Sequence, residues 1–505
     1  MGPLDRPARR CGKGVNPERV DGMNSPFEIT GKEIGRLDSL QLTALLRRLL
    51  HLEAKRFLIS PTGISVNLSI TIPDGGEDGR IEWSDGPQRT DYIPTRLTLF
   101  QVKAQDTGPT ICKKELAKPR PRETLNNSGG VVIFCNRPYS APLIERRRKA
   151  LAQAAREFGC DLNICSIDFF DANKISDWVN CYFPAAIFVM EQLGGAPVGV
   201  QTWSHWNRYA DFQRYKFVPD QDVSAKLEQL RSSFTKGFGT VARLVGASGL
   251  GKTRLALEAF RPPDSGTPDP QPAALSDSVV YYADGSRPNI LEQVIDWRTR
   301  GAEALLVVDD CSAEQHQRLA KEVRHRDSKL NILTLDYDPI QNTTDPVMEL
   351  NPASDSVIKG ILEQAYGVLS AQDSARIIPF AQGFPQMAVL LADARLAEDP
   401  QWSSLQDDEL LKRLLWGHDS PDQNALVAVR ACALFERLGF DGTVVAERHF
   451  VAKEICCFCA DPSKHTSDDH CEACSEQKAL GGRKLEASPA SSNRAIRGYL
   501  SGDLA

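Results

Sequence analysis

"TVARLVGASGLGKTRLALEAF", residues 240–260, decides how this 505-residue chain is read. A short apolar run at Val241–Val245 has the character of a buried strand, and a glycine-rich turn follows. Leu255, Leu257 and Phe260 then lie in a helical stretch. Inside this strand–turn–helix, "GASGLGKT" fills every fixed position of the P-loop pattern. Gly246, Gly249 and Gly251 let successive backbone N–H groups converge on phosphates at a helix N-terminus. Lys252 would reach the β- and γ-phosphates, and the Thr253 hydroxyl would ligate Mg²⁺.

On either side of the motif the pattern alternates: helix "VSAKLEQLRSSF", strand "SVVYYAD", strand "ALLVVDD", strand "NILTLD", with helices between them. Strands alternating with helices imply crossover connections and a parallel sheet. "ALLVVDD" ends in Asp309 and Asp310. Asp309 is expected to act on Mg²⁺, and Asp310 to orient or polarise water. The stretches "GASGLGKTRLALEAF", "LLVVDD", "NILTLD" and "GFPQMAVLLA", with Gly383 and Pro385 as a glycine-x-proline element, resemble the STAND class of signal-transduction NTPases. One departure stands out: Asp336, Tyr337 and Asp338 follow the sensor strand where many relatives carry an arginine.

Nearer the N-terminus, "LTLFQVKAQ" (97–105) reads as a buried strand, yet Gln101 and Lys103 share the face of Leu97 and Leu99. Glu53 falls on the apolar stripe of "LQLTALLRRLLHLEAKRF", and Asp78 lies in a turn before the strand "RIEW", with Asp74 as its competitor. Acid, acid, Gln-x-Lys is the order of a metal-dependent phosphodiesterase. Oxygen ligands from Glu53, Asp78 and Gln101 would hold Mg²⁺ against the scissile phosphate, and Lys103 would position or deprotonate its water. These pieces resemble the Mrr-like branch of the PD-(D/E)XK nucleases, and "SIDFFDANKISDWVNCYFPAA" is similar to the end of that domain in Avs-type antiviral STAND proteins. Lys113, Lys114, Lys118, Arg120 and Arg122, with Arg146 to Lys149, would supply contacts to DNA phosphates.

The C-terminal "CCFCADPSKHTSDDHCEAC" pairs Cys456 with Cys459 and Cys471 with Cys474, a spacing that suits a tetrahedral Zn²⁺ site. The other cysteines are scattered, which fits buried thiols rather than a disulfide framework. A net charge of −6, with 41% hydrophobic and 25% charged residues, is that of an ordinary soluble chain, so any nucleic-acid surface must be local. No apolar run is long enough for a membrane span and no signal peptide is evident, so a cytoplasmic protein without membrane contact is expected.

The expected organisation is α/β and multidomain: a flexible tail (1–25), a restriction-endonuclease-like α/β domain (26–195) and a linker (196–225). A P-loop parallel-sheet NTPase domain (226–352), a helical, winged-helix-like region (353–450) and a Cys-containing polar tail (451–505) follow. The expected function is an ATP-binding, nucleotide-switched, Mg²⁺-dependent endonuclease acting on double-stranded DNA. The resemblance further implies antiphage defence, with homo-oligomers forming on activation and a phage protein as a trigger. The alternative is an ATP-dependent oligomerising scaffold or regulator whose N-terminal domain binds nucleic acid without cutting it.

Overall fold

The computed structural model describes residues 27–68, 77–196, 199–208, 214–235, 237–262, 271–285, 289–336, 345–367 and 369–398. The N-terminal tail, Asp74, Tyr337, Asp338 and everything beyond 398, including the four cysteines expected to bind Zn²⁺, lie outside these residues. The chain divides into two compact units. The first takes its described residues from Met1–Arg214, Gln221–Val245 and Thr253–Glu349, and the second from Tyr215–Asp220, Gly246–Lys252 and Leu350–Ala505.

The first unit carries two sheets. One has five strands in chain order: β1 (Ile64–Val66), β2 (Gly79–Glu82), β3 (Leu97–Lys103), β4 (Gly130–Cys135) and β5 (Ser166–Phe170). β1, β2 and β3 pair antiparallel, and β3, β4 and β5 pair parallel. Helix α1 (Ser39–Arg56) precedes them, started by a capping box in which Asp38 accepts from Gln41 N at 2.8 Å and Gln41 Oε1 accepts from Asp38 N at 2.9 Å. Leu42, Leu46, Leu49 and Leu50 of α1 are buried with Phe100, Val102, Val132 and Phe134 on one face of the sheet. Helices α2 (Pro109–Leu116), α3 (Pro119–Asn126) and α4 (Ala141–Glu157) bury the other face around Leu99, Val131, Ile133 and Leu151. α5 (Ala172–Val179) and α6 (Phe183–Gln192) join the α1 layer.

The second sheet comprises β6 (Val200–Thr202), β7 (Val241–Val245), β8 (Val279–Tyr282), β9 (Glu303–Val308), β10 (Lys329–Asp336) and β11 (Val347–Glu349), in the order β11-β7-β10-β9-β8-β6. All neighbours are parallel except β6, which runs antiparallel on β8. The expected parallel sheet is therefore present. The stretch 196–225 is more than a connection, since it supplies β6 and the start of α7 (Gln221–Phe234). Helices α8 (Lys252–Ala259), α9 (Gln271–Ser278), α10 (Ile290–Arg300) and α11 (Ala313–Val323) complete this region.

The second unit contains α12 (Asp355–Ala365), α13 (Ala371–Ala381) and α14 (Pro385–Glu398), packed around Ile358, Leu362, Ile377, Ala388 and Leu391.

Candidate nucleotide site and the Gln101–Lys103 face

β7 runs directly into the P-loop. Gly246, Gly249 and Gly251 all have positive φ, at 149°, 84° and 96°, which glycine adopts without the clash a Cβ brings. At Gly246 a Cβ would also stand 2.6 Å from Leu350 O, so the loop tolerates no side chain there. Lys252 Nζ donates to the loop's own carbonyls, Gly246 O at 2.7 Å and Ala247 O at 2.9 Å. Gln386 N donates to Gly249 O at 3.3 Å, so the segment after Gly383-Phe384-Pro385 touches the loop itself. Gly383 is required by its φ of 80° and by Ala353 O, which would lie 2.6 Å from a Cβ.

In the first unit the Thr253 hydroxyl donates to Asp309 Oδ2 at 2.6 Å, and the Tyr281 hydroxyl donates to the same oxygen at 3.1 Å. Asp309 is buried at the end of β9, and Asp310 beside it is exposed. A hydroxyl and a carboxylate in contact form a hard-oxygen pair of the kind Mg²⁺ takes, so these residues fit the ion. Two neighbours escaped the sequence reading. Tyr281 lay hidden in an apolar strand, and Arg243 was the one cation inside "VARLV".

The four residues expected to form the phosphodiesterase site do not converge. Asp78 Oδ2 accepts from Val102 N at 2.7 Å, which brings this acid to the Gln101–Lys103 end of β3. Gln101 Nε2 donates to Glu115 O at 3.2 Å, and Lys103 Nζ lies 3.0 Å from Glu115 Oε2. Glu115 also pairs with Lys118 at 2.6 Å, and together these two lysines hold its carboxyl below the ordinary value, outweighing the upward push of burial. Glu53, by contrast, belongs to the α1 face. Its Oε2 accepts from Trp178 Nε1 at 2.9 Å and from the Tyr182 hydroxyl at 2.5 Å, and burial pushes its pKa up. Because strand side chains alternate, Gln101 and Lys103 point away from that layer.

The expected metal set of Glu53, Asp78 and Gln101 is thus not assembled. Among the described residues no group of three or more His, Cys, Asp or Glu side chains is placed to hold a metal. Glu115, hidden in the sequence by the lysines around it, meets Gln101 through its backbone carbonyl and Lys103 through its carboxylate.

Several cations of the basic runs have acidic neighbours. Lys118 meets Glu115, Arg120 meets Glu123 at 3.0 Å, Arg148 meets Asp168 at 2.8 Å and Lys149 lies 3.8 Å from Glu145. Arg147 is buried, its guanidinium 3.6 Å from the Tyr139 ring centroid and its Nε donating to Thr107 O at 2.7 Å. Acids interleave with the cations, so the runs do not make a uniformly positive face. No helix among the described residues is long and apolar enough to cross a membrane.

No family model matches the chain, and no curated protein matches it. Solved structures are similar to parts of it. One is a STAND protein with a tetratricopeptide repeat sensor from Pyrococcus horikoshii, with a TM-score of 0.26, 14% identity and coverage of 48% of this chain and 40% of that one. The Aeropyrum pernix ORC1 protein in complex with DNA gives 0.31 and 12%, covering 56% of this chain and 88% of that one. NtrX from Brucella abortus in complex with ATP gives 0.27 and 11%, covering 72% of this chain and 82% of that one.

Proposed function

We propose that the chain is an ATP-binding, Mg²⁺-dependent P-loop NTPase whose nucleotide state acts as a switch. The observation that carries this reading is the 2.6 Å contact between the Thr253 hydroxyl, which directly follows the glycine loop and Lys252, and the Asp309 carboxylate at the end of a parallel strand. In this reading the loop N–H groups bind the phosphates, and Lys252 exchanges its loop carbonyls for phosphate oxygens. Thr253 and Asp309 hold the ion, and Asp310 orients the attacking water. When bound, Mg²⁺ neutralises charge on the phosphate oxygens as the bond breaks.

A second reading joins this switch to a DNA endonuclease in antiphage defence, triggered by a phage protein and active as a homo-oligomer, as the family resemblance implies. It is favoured by one contact, Asp78 against Val102 N beside Gln101 and Lys103. Glu53 is held apart from this contact by Trp178 and Tyr182. The competing scaffold reading keeps DNA binding and drops cleavage.

One experiment addresses both: ATP binding and plasmid cutting by the full chain, with Lys252→Ala and Lys103→Ala alongside. Lys252→Ala is expected to weaken ATP binding by about 100-fold, equivalent to about 2.7 kcal/mol. Lys103→Ala is expected to bind ATP normally and lose cutting. Unchanged ATP affinity in Lys252→Ala would sink the NTPase reading, and cutting by Lys103→Ala would sink the nuclease reading.

A further inference from the structure

Arg243 lies in the middle of β7 and is fully buried. Its Nη2 donates to Asp336 Oδ2 at 2.7 Å, and its Nη1 donates to Cys311 O at 2.9 Å and to Thr334 Oγ1 at 3.4 Å. The Cys311 N–H donates to Leu335 O at 3.0 Å. Both polar groups of the Cys311 peptide backbone are therefore held, one by β10 and the other by Arg243. On the other side of the turn Asp309 N donates to Tyr282 O at 2.9 Å. Asp310 lies between these anchors with φ at 49°, a left-handed conformation that a residue with a Cβ keeps when its surroundings impose it.

The ion pair is not needed to join the strands, because β7 and β10 already pair over five residues, Val241–Val245 with Ile332–Asp336. Desolvation largely offsets the attraction in such buried pairs, so its contribution is geometric. Asp336 is the last residue of β10, so the acid ends one strand and the cation comes from its neighbour β7.

We propose that Arg243 is a positioning residue that sets the Asp310 turn through the Cys311 carbonyl, with Asp336 keeping the guanidinium aimed. Its effect on turnover rests on the NTPase reading above, while its effect on the turn does not. Replacing Arg243 alone would remove the buried cation that the Asp336 carboxylate faces, so the test uses the apolar pair Arg243→Met with Asp336→Leu, and Arg243→Lys beside it. In the full chain the paired variant is expected to melt as a folded protein and to lower kcat for ATP about tenfold, with KM within about threefold. Alkylation of Cys311, buried in the native chain, is expected to accelerate about tenfold or more as the turn opens. Arg243→Lys, which donates to fewer partners, should fall between the two. Wild-type turnover in the paired variant overturns the proposal, and so does a Cys311 that stays protected. If the native chain does not hydrolyse ATP, the NTPase reading fails, and Cys311 labelling alone decides: protection in the paired variant overturns the clamp, and exposure supports it.

Discussion

His316 shows how much one side chain's surroundings decide. It is fully buried on α11, with Nδ1 2.7 Å from Thr334 Oγ1 and Nε2 3.0 Å from Asp345 Oδ2. Burial, reinforced by the Arg243 and Arg324 guanidinia, pushes its pKa down from 6.5 to about 4. The Asp345 carboxylate does not reverse this, because Arg324 engages it. The folded value lies below the unfolded one, so the unfolded chain binds the extra proton between about pH 6.5 and 4. Stability is complete above that window and is lost as pH falls through it, by about 3 kcal/mol for this group. His316→Gln should flatten that part of the profile, and urea midpoints of both proteins from pH 7.5 to 4.5 would reveal it. Equal slopes would rule the assignment out. At this scale the P-loop was legible, because its spacing is its chemistry. Glu53 was not: an acid on a leucine stripe looks the same whether it waits for a metal or accepts from Trp178 and Tyr182, more than a hundred residues away.

Among elements, α1 serves two layers. Its leucines cover the five-stranded sheet, while Arg48 and His51 turn to α9. There Asp277 Oδ1 lies 3.3 Å from Arg48 Nη2, and Asp277 Oδ2 lies 2.6 Å from His51 Nδ1. Burial alone would raise the Asp277 pKa, but Arg48 and His51 outweigh it and hold the carboxyl well below the usual range. Asp277→Asn leaves a buried guanidinium without its countercharge and is expected to cost about 3–5 kcal/mol at pH 7. The apolar pair Arg48→Met with Asp277→Leu should recover most of that. Denaturant melts of the three proteins provide the check, and a near-neutral Asp277→Asn would show that the pair is not clamped. The helix itself could be read from its leucine spacing and from Asp38 and Gln41. Its second partner could not, because nothing in "LRRLLH" separates an arginine that faces water from one that faces another helix.

At the scale of the whole molecule, the first unit joins two sheets that the sequence reading kept apart. The joint has an apolar core beside its ion pairs: Phe183 at the start of α6 lies 3.7 Å from Trp297 of α10 between ring centroids, with Phe27 edge-on to both. Arg56 of α1 lies 3.3 Å from Glu303 at the head of β9, and Tyr182 makes a parallel bridge to the same residue. β9 leads directly into Asp309, so one strand connects the acid of the nucleotide site to the helix that carries Glu53. Local composition cannot announce such a joint, because each half has a plausible core of its own and the residues between them, 196–225, are polar and aromatic by turns. Shared burial of this kind predicts one cooperative transition for the two sheets. Native-state hydrogen exchange is expected to give the same opening free energy for amides of β4 and β9, within about 1 kcal/mol, and Trp297→Ala should lower both together. Opening of β4 at a clearly lower free energy than β9, with Trp297→Ala moving only the latter, would mean that the sheets fold as separate bodies and that β9 transmits nothing between them.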